Sequence, residues 1–124
     1  LVESAVARAE AAGLTFLLSQ ALSGLAFRRH MAGEGVQREL LLRADALERM
    51  APGHTHDDTP LQILGLQLTV NGDFAEAREL LGGELERERA RGYLDHEHFA
   101  LVLLSVLELR AGRWPLAETW TSRL

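Results

Sequence analysis

Residues 61–93, LQILGLQLTVNGDFAEARELLGGELERERARGY, decide how this chain folds. Leu61, Leu64, Gly65 and Leu68 recur at the spacing of one helical face, and Phe74, Ala77, Leu81 and Leu85 do the same further on. Asn71-Gly72 breaks the chain between them. Asp73 is placed to cap the second helix, and Glu76, three residues on, to reach back, which is the pattern of a capping box. The segment therefore predicts two helices joined by a tight turn. Gly65 and Ala77 are small enough to let antiparallel helices approach closely, so a packed hairpin is expected.

A helical hairpin buries one side of each helix and leaves apolar surface that must meet a neighbour. The sequence supplies the neighbours. Gly72-Asp73-Phe74 followed by Ala77 recurs forty residues later as Gly112-Arg113-Trp114 followed by Ala117, and Leu64-Gly65 maps onto Leu104-Ser105. Thirty-nine residues earlier, Gly72 falls on Gly33 and Leu64-Gly65 on Leu25-Ala26. The first helix of the hairpin thus occurs three times. The second helix of the earliest copy matches poorly, because Arg38 stands near the place of Ala77 and Gly35 lengthens the turn.

Taken in order, Val2, Ala5, Val6, Ala9 and Ala12 predict a first helix ending at Gly13, and a second runs from about Leu14 to Met31. Leu17, Leu18, Ala21, Leu22 and Leu25 make the second apolar on most sides, which predicts that it is sandwiched between neighbours. A third helix over about Val36–Met50 turns Leu40, Leu41, Ala44 and Leu47 inward. After the central hairpin, Asp95 is placed to cap a helix reaching Arg110, and Trp114-Pro115 opens the last one. Gly82-Gly83, inside a helix, predicts a bend or a close backbone contact. The fold class expected is all-α, about seven helices in stacked antiparallel hairpins, forming one domain over residues 1–124.

With 47% hydrophobic and 25% charged residues, the chain has the composition of an ordinary soluble domain. All thirteen basic residues are arginine, which points to a GC-rich bacterial genome. A net charge of −5 opposes binding to a phosphate backbone, so no nucleic-acid role is expected for this segment. The absence of cysteine rules out disulfides and thiolate metal sites. The longest apolar runs, such as Phe99–Leu104, fall well short of the roughly twenty residues that span a bilayer, and the amino end does not read as a signal peptide. No membrane partner and a cytoplasmic location are expected. Because the chain starts at Leu1, in what reads as the second helix of an earlier hairpin, and LAETWTSRL stops inside a helix, the segment reads as a piece of a longer protein.

Four imidazoles, His54, His56, His96 and His98, stand near Asp57, Asp58, Asp95 and Glu97, a donor set of the type divalent metals use. On a helix, however, His96 and His98 project about 200° apart, so capping and solvation are the simpler reading and no metal or cofactor is expected. Asp57-Asp58 has an equally simple reading as a helix-start run. No nucleophile elbow, phosphate-cradling glycine loop or zinc-binding His-Glu-x-x-His is present, so catalysis is not expected. The run Glu84–Arg89 reads as a solvated face carrying three-residue Glu–Arg pairs. The functional candidate comes from the repeat itself. The offsets align Phe27, Leu66 and Val106, flanked by Ser23, Gln62 and Val102 and by His30, Thr69 and Leu109. This row would form a groove for a peptide, an effector or a partner helix, the competing reading being core between hairpins.

Leu64-Gly65, Leu68, Gly72-Asp73-Phe74 and Ala77, followed by Leu81, resemble the tetratricopeptide repeat, whose signature is apolar-Gly, a large residue, a Gly-Asp-aromatic turn and a small alanine. The period here is five or six residues longer than the roughly 34 of that family, and Glu84 takes the place of its second small residue. The phrases ALxGLAxRR at 21–29 and LxLRAGRWxLAE at 107–118 resemble the helical repeat region of large MalT-like, LuxR-family ATP-dependent transcriptional regulators. The repeat resemblance implies an α-solenoid. The regulator resemblance implies a non-catalytic sensor or scaffold segment that binds an inducer or protein partner. A protein-interaction adaptor outside transcription is the alternative. Solenoid ends lacking polar caps also predict self-association through the terminal helices, around Val2 and Val6 or Trp114 and Trp120.

Overall fold

The computed structural model describes residues 2–51, 53 and 58–124, and only the backbone of residues 2, 3 and 9. All regular structure among the described residues is helical: α1 (Val2–Met31), α2 (Arg38–Arg49), α3 (Pro60–Asn71), α4 (Phe74–Arg91), α5 (Leu94–Arg110) and α6 (Trp114–Thr121). The all-α, helical-hairpin architecture read from the periodicity is the one observed. The chain divides into two compact units, residues 1–60 and 61–124.

In the first unit α1 packs on α2. Ser19, Ser23 and Ala26 are buried along one stripe of α1, and Ser19 Oγ donates to the carbonyl of Ala44 at 2.6 Å. Leu41 and Ala44 answer from α2, both fully buried. The break expected at Gly13 is absent, so two expected helices are one helix of 30 residues, and the described residues hold six helices rather than about seven. A stopping glycine works by taking a left-handed φ, and Gly13 is not among the glycines that do. Ala11, Ala12 and Leu14 keep the helix running, and Thr15 Oγ1 bonds back to the Ala11 carbonyl across the glycine.

The expected sandwiching of α1 is also corrected. α2 has 12 residues and covers one side, leaving Leu14, Leu17 and Leu18 exposed. Ser4–Met31 contains an 18-residue window of mean hydropathy 1.2 and is, by length and composition alone, long and apolar enough to cross a membrane. Counting unbroken apolar runs missed this because Ser, Thr and Gly interrupt the run without lowering the average much.

The poor match of α2 to the repeat has a structural cause. Residues 32–37 separate α1 from α2, whereas Gly72 and Asp73 alone separate α3 from α4. Gly33 and Gly35 both take positive φ in the longer turn. Counted by forty rather than thirty-nine, Leu41 falls on Leu81 and Glu48 on Glu88, and all four are buried. From Gly33 to Leu41 is one residue fewer than from Gly72 to Leu81, so the longer turn is made from residues that form the first helical turn in α4.

In the second unit, α3 and α4 meet where the small residues predict. Ala77 is fully buried, and a Cβ added to Gly65 would stand 2.6 Å from Leu81 Cγ, so the side chain of Leu81 lies directly on the backbone of α3. The caps expected of Asp73 and Asp95 are not made. The Asp73 carboxylate accepts a bond from Asn71 Nδ2 at 2.7 Å and makes no side-chain cap. Asp95 lies inside α5, which starts one residue earlier with Tyr93 at its cap, and its charge still suits the positive end of the helix.

Gly82 and Gly83 do not mark a close contact, since a Cβ at either position would meet nothing within 4 Å. Both sit in helical conformation where alanine is strictly better. Gly82→Ala and Gly83→Ala are therefore each expected to stabilise the fold by about 0.5–1 kcal/mol in urea unfolding. A loss of stability from either would mean that the backbone there needs the freedom of glycine.

Candidate partner-binding face

The residues of the predicted row separate into two groups. Ser23 belongs to the buried stripe of α1 against α2, while Phe27 is exposed and His30 half-buried. Gln62 is fully buried, and its Nε2 donates to the carbonyl of His96 at 2.9 Å. Thr69 is equally buried and bonds back to the Gly65 carbonyl at 2.8 Å. Ser23, Gln62 and Thr69 are therefore interior residues. Leu66 and Val106 are half-buried, and Val102 and Leu109 are exposed.

Two hydrogen bonds place α3 beside α5. Gln62 reaches His96 near the start of both helices, and Arg110 Nη2 donates to the Val70 carbonyl at 3.4 Å near the end of both. The helices therefore run parallel, and their open sides form one face carrying Leu66, Val70, Val102, Val106 and Leu109, with Arg110 at its C-terminal edge. Val70 and Arg110 were missed in the sequence, although the forty-residue offset aligns them. The face is a strip about 10 Å long, the rise of α5 from Val102 to Leu109. Its apolar side chains are spaced one helical turn apart, which suits the apolar side of a partner helix.

Several charged residues of this unit hold it together. Glu84 and Glu88 are buried, which corrects the reading of Glu84–Arg89 as wholly solvated. The three-residue pairing is realised in Glu84–Arg87 at 3.1 Å, Glu86–Arg89 at 3.4 Å and Glu88–Arg91 at 3.2 Å. The second oxygen of Glu88 lies 3.0 Å from Nδ1 of buried His96, whose ring meets Tyr93 edge-on. Arg91 in turn stacks over Tyr93. Arg78 of α4 grips Glu108 of α5 with two bonds, of 2.8 and 2.6 Å. That grip, and secondarily the attraction of its charge, holds the Glu108 carboxyl below the usual carboxylate range against the opposing effect of burial. The Arg78 guanidinium is raised by the same contact.

Among the described residues no three His, Cys, Asp or Glu side chains converge as metal ligands. His96 turns inward to Glu88 while His98 is exposed, the divergence that their spacing predicts. His54, His56 and Asp57 lie outside the described residues. In the first unit a cleft of about 420 Å³ opens beside the α1–α2 turn, lined by Arg29, Val36, Gln37, Arg38, Glu39 and Leu40. No protein-family model, curated protein or solved structure matches this chain.

Proposed function

We propose that this chain is a non-catalytic, helical-repeat binding segment of a cytoplasmic bacterial transcriptional regulator, and that it receives the apolar side of a partner helix or peptide. The observation that carries the binding role is the parallel pair α3 and α5, tied at both ends, with an apolar strip left open along them. A rigid strip of this kind loses little conformational freedom when a partner docks. The transcriptional role rests on the resemblance of residues 21–29 and 107–118 to regulator repeat regions. α1 is read as a helix of a water-soluble fold, because Ser19, Ser23 and Ala26 seat it on α2.

Display selection of helical peptides against the chain tests the binding role. Selected peptides are expected to carry apolar residues at i, i+3 or i+4, and i+7. Val102→Asp together with Leu109→Asp is expected to weaken their binding at least about tenfold, since a carboxylate would be desolvated under the docked helix. Peptides that bind the double variant equally well would remove the face from consideration. The reading frame around the segment tests the regulator role, because a nucleotide-binding loop and a helix-turn-helix in the same protein are required by it. Their absence leaves the alternative, an interaction adaptor outside transcription.

A further inference from the structure

Three neighbours cover most of α5. Glu97 and Glu108 face α4, through the pairs Arg89–Glu97 at 3.2 Å and Arg78–Glu108 at 2.6 Å. Ser105 faces α6, whose Thr121 Oγ1 donates to Ser105 Oγ at 3.3 Å, and the His96 carbonyl meets Gln62 of α3. The side left over carries Asp95, Phe99, Val102, Val106 and Arg110, at i, i+4, i+7, i+11 and i+15. Because α3, α4 and α6 are all in place around α5, this opening lies on the flank of the helical stack and not at either end of the chain.

The charges on this side stand at its two ends. Asp95 and Arg110 are exposed, Val102 is 41% exposed, and Phe99 and Val106 are half-buried. Beside them α3 adds Leu66 and Val70 and holds no charged residue along its length. The face is therefore acidic at one end and basic at the other, about 22 Å apart, and apolar between. Turned end for end, it complements itself. In an antiparallel pair each step forward on one helix matches a step back on the other: from Arg78–Glu108 to Arg89–Glu97, α4 advances eleven residues while α5 retreats eleven. The same rule applied to two α5 helices, with Asp95 opposite Arg110, sets Phe99 opposite Val106 and brings Val102 to the twofold axis. Leu66 reaches the axis as well, because it lies midway between Gln62 and Val70, which are tied to His96 and Arg110 on either side of the same level of α5.

We propose that the α3–α5 face is closed by a second copy of this chain, with α5 antiparallel on α5 about a twofold axis beside Val102 and Asp95 of each copy paired with Arg110 of the other. The inference rests on the reading of this face as a helix-receiving surface and names its occupant. The contact is isologous, so the same ion pair forms twice and assembly stops at the dimer. Turning one copy end for end also sets the two helix dipoles in opposite directions, each end beside its complement. Parallel docking would put Asp95 against Asp95 and Arg110 against Arg110, so the charges select the antiparallel arrangement.

Sedimentation equilibrium of the whole chain over a concentration series tests it. The wild-type mass is expected to rise with concentration to that of a dimer and no further. Asp95→Arg and Arg110→Asp, both at exposed positions, are each expected to weaken association at least about tenfold, because each opposes like charges twice across the axis. D95R and R110D chains mixed in equal amounts, and the doubly substituted D95R/R110D chain, are expected to regain the dimer. Recovery on mixing also excludes misfolding as the cause of the single-variant losses. Masses beyond the dimer, single variants that associate as wild type does, or a mixture without recovery would each overturn the contact. A monomeric wild-type chain that binds the selected helical peptides would overturn the dimer alone, and one that binds none would remove the face with it.

Discussion

Arg78→Ala is expected to destabilise the fold by about 3 kcal/mol, one of the largest effects of any single substitution here. The loss comes less from the arginine's attraction than from what it leaves behind. The Glu108 side chain is 1% exposed, and both its oxygens are satisfied by Arg78. Without the guanidinium, a buried carboxylate must remain charged without compensation, take up a proton, or pull α5 open toward water. Replacing both residues, as in R78M/E108L, is expected to restore most of the loss, since a well-packed apolar pair frequently matches a buried ion pair. Urea unfolding of the three chains separates these cases, and an R78A chain within about 0.5 kcal/mol of wild type would show that water reaches Glu108.

The same pair sets a direction for the dependence of stability on pH. Glu108 is held below its ordinary value of 4.5 in the folded chain, so it contributes stability above that value and loses it as the pH falls through the lowered one. Acidification below about 4.5 is therefore expected to destabilise wild type, with a shallower slope in R78A, where the folded carboxyl is no longer held down. The raised Arg78 acts in the opposite sense, contributing below its ordinary value and losing that contribution only at strongly alkaline pH.

Gly65→Ala is the second large effect, a net loss of about 2 kcal/mol expected from an added methyl group. In an open helix this change is favourable by about 1 kcal/mol, as expected for Gly82 and Gly83. At Gly65 the new carbon would stand 2.6 Å from Leu81 Cγ, and Leu81 is itself fully buried between helices. Either the side chain leaves its rotamer or α4 moves away from α3, and overpacking of this kind typically costs about 1–3 kcal/mol. Leu81→Ala relieves the clash but opens a cavity costing about 2–5 kcal/mol. The combined G65A/L81A chain should then be less destabilised than the sum of the singles by about 1 kcal/mol or more, because the methyl fills part of that cavity. Strict additivity in this cycle would show that the two residues do not touch.

The hairpin of residues 61–93 was legible because its signals are local. Gly72, Gly92 and Gly112 take positive φ where a turn must reverse the chain, and no side chain elsewhere is needed to recognise them. The aromatic-and-alanine echo at Trp114 and Ala117 was legible for the same reason. The residues that were misread have partners far away in sequence. Glu84 and Glu88 look like a solvated charge run until α5 brings His96 against Glu88, and Gln62 looks like a groove residue until its amide meets the His96 carbonyl. Periodicity states which side of a helix a residue occupies, not whether a polar group there finds a buried partner. Asp73 shows the local version of this limit, since Asn71 competes for the carboxylate that would otherwise cap α4.

The way the helices of the second unit associate also bears on how quickly it assembles. α3 meets α4, α4 meets α5 and α5 meets α6, so each contact closes a short loop of chain and costs little entropy to form. A topology of this kind has low contact order, and helical chains that share it complete folding within microseconds to milliseconds. The ties between α3 and α5, which join residues 34 and 40 apart, are the exception. They close somewhat longer loops than the contacts between neighbouring helices, and the apolar strip they align needs the hairpins on either side of it.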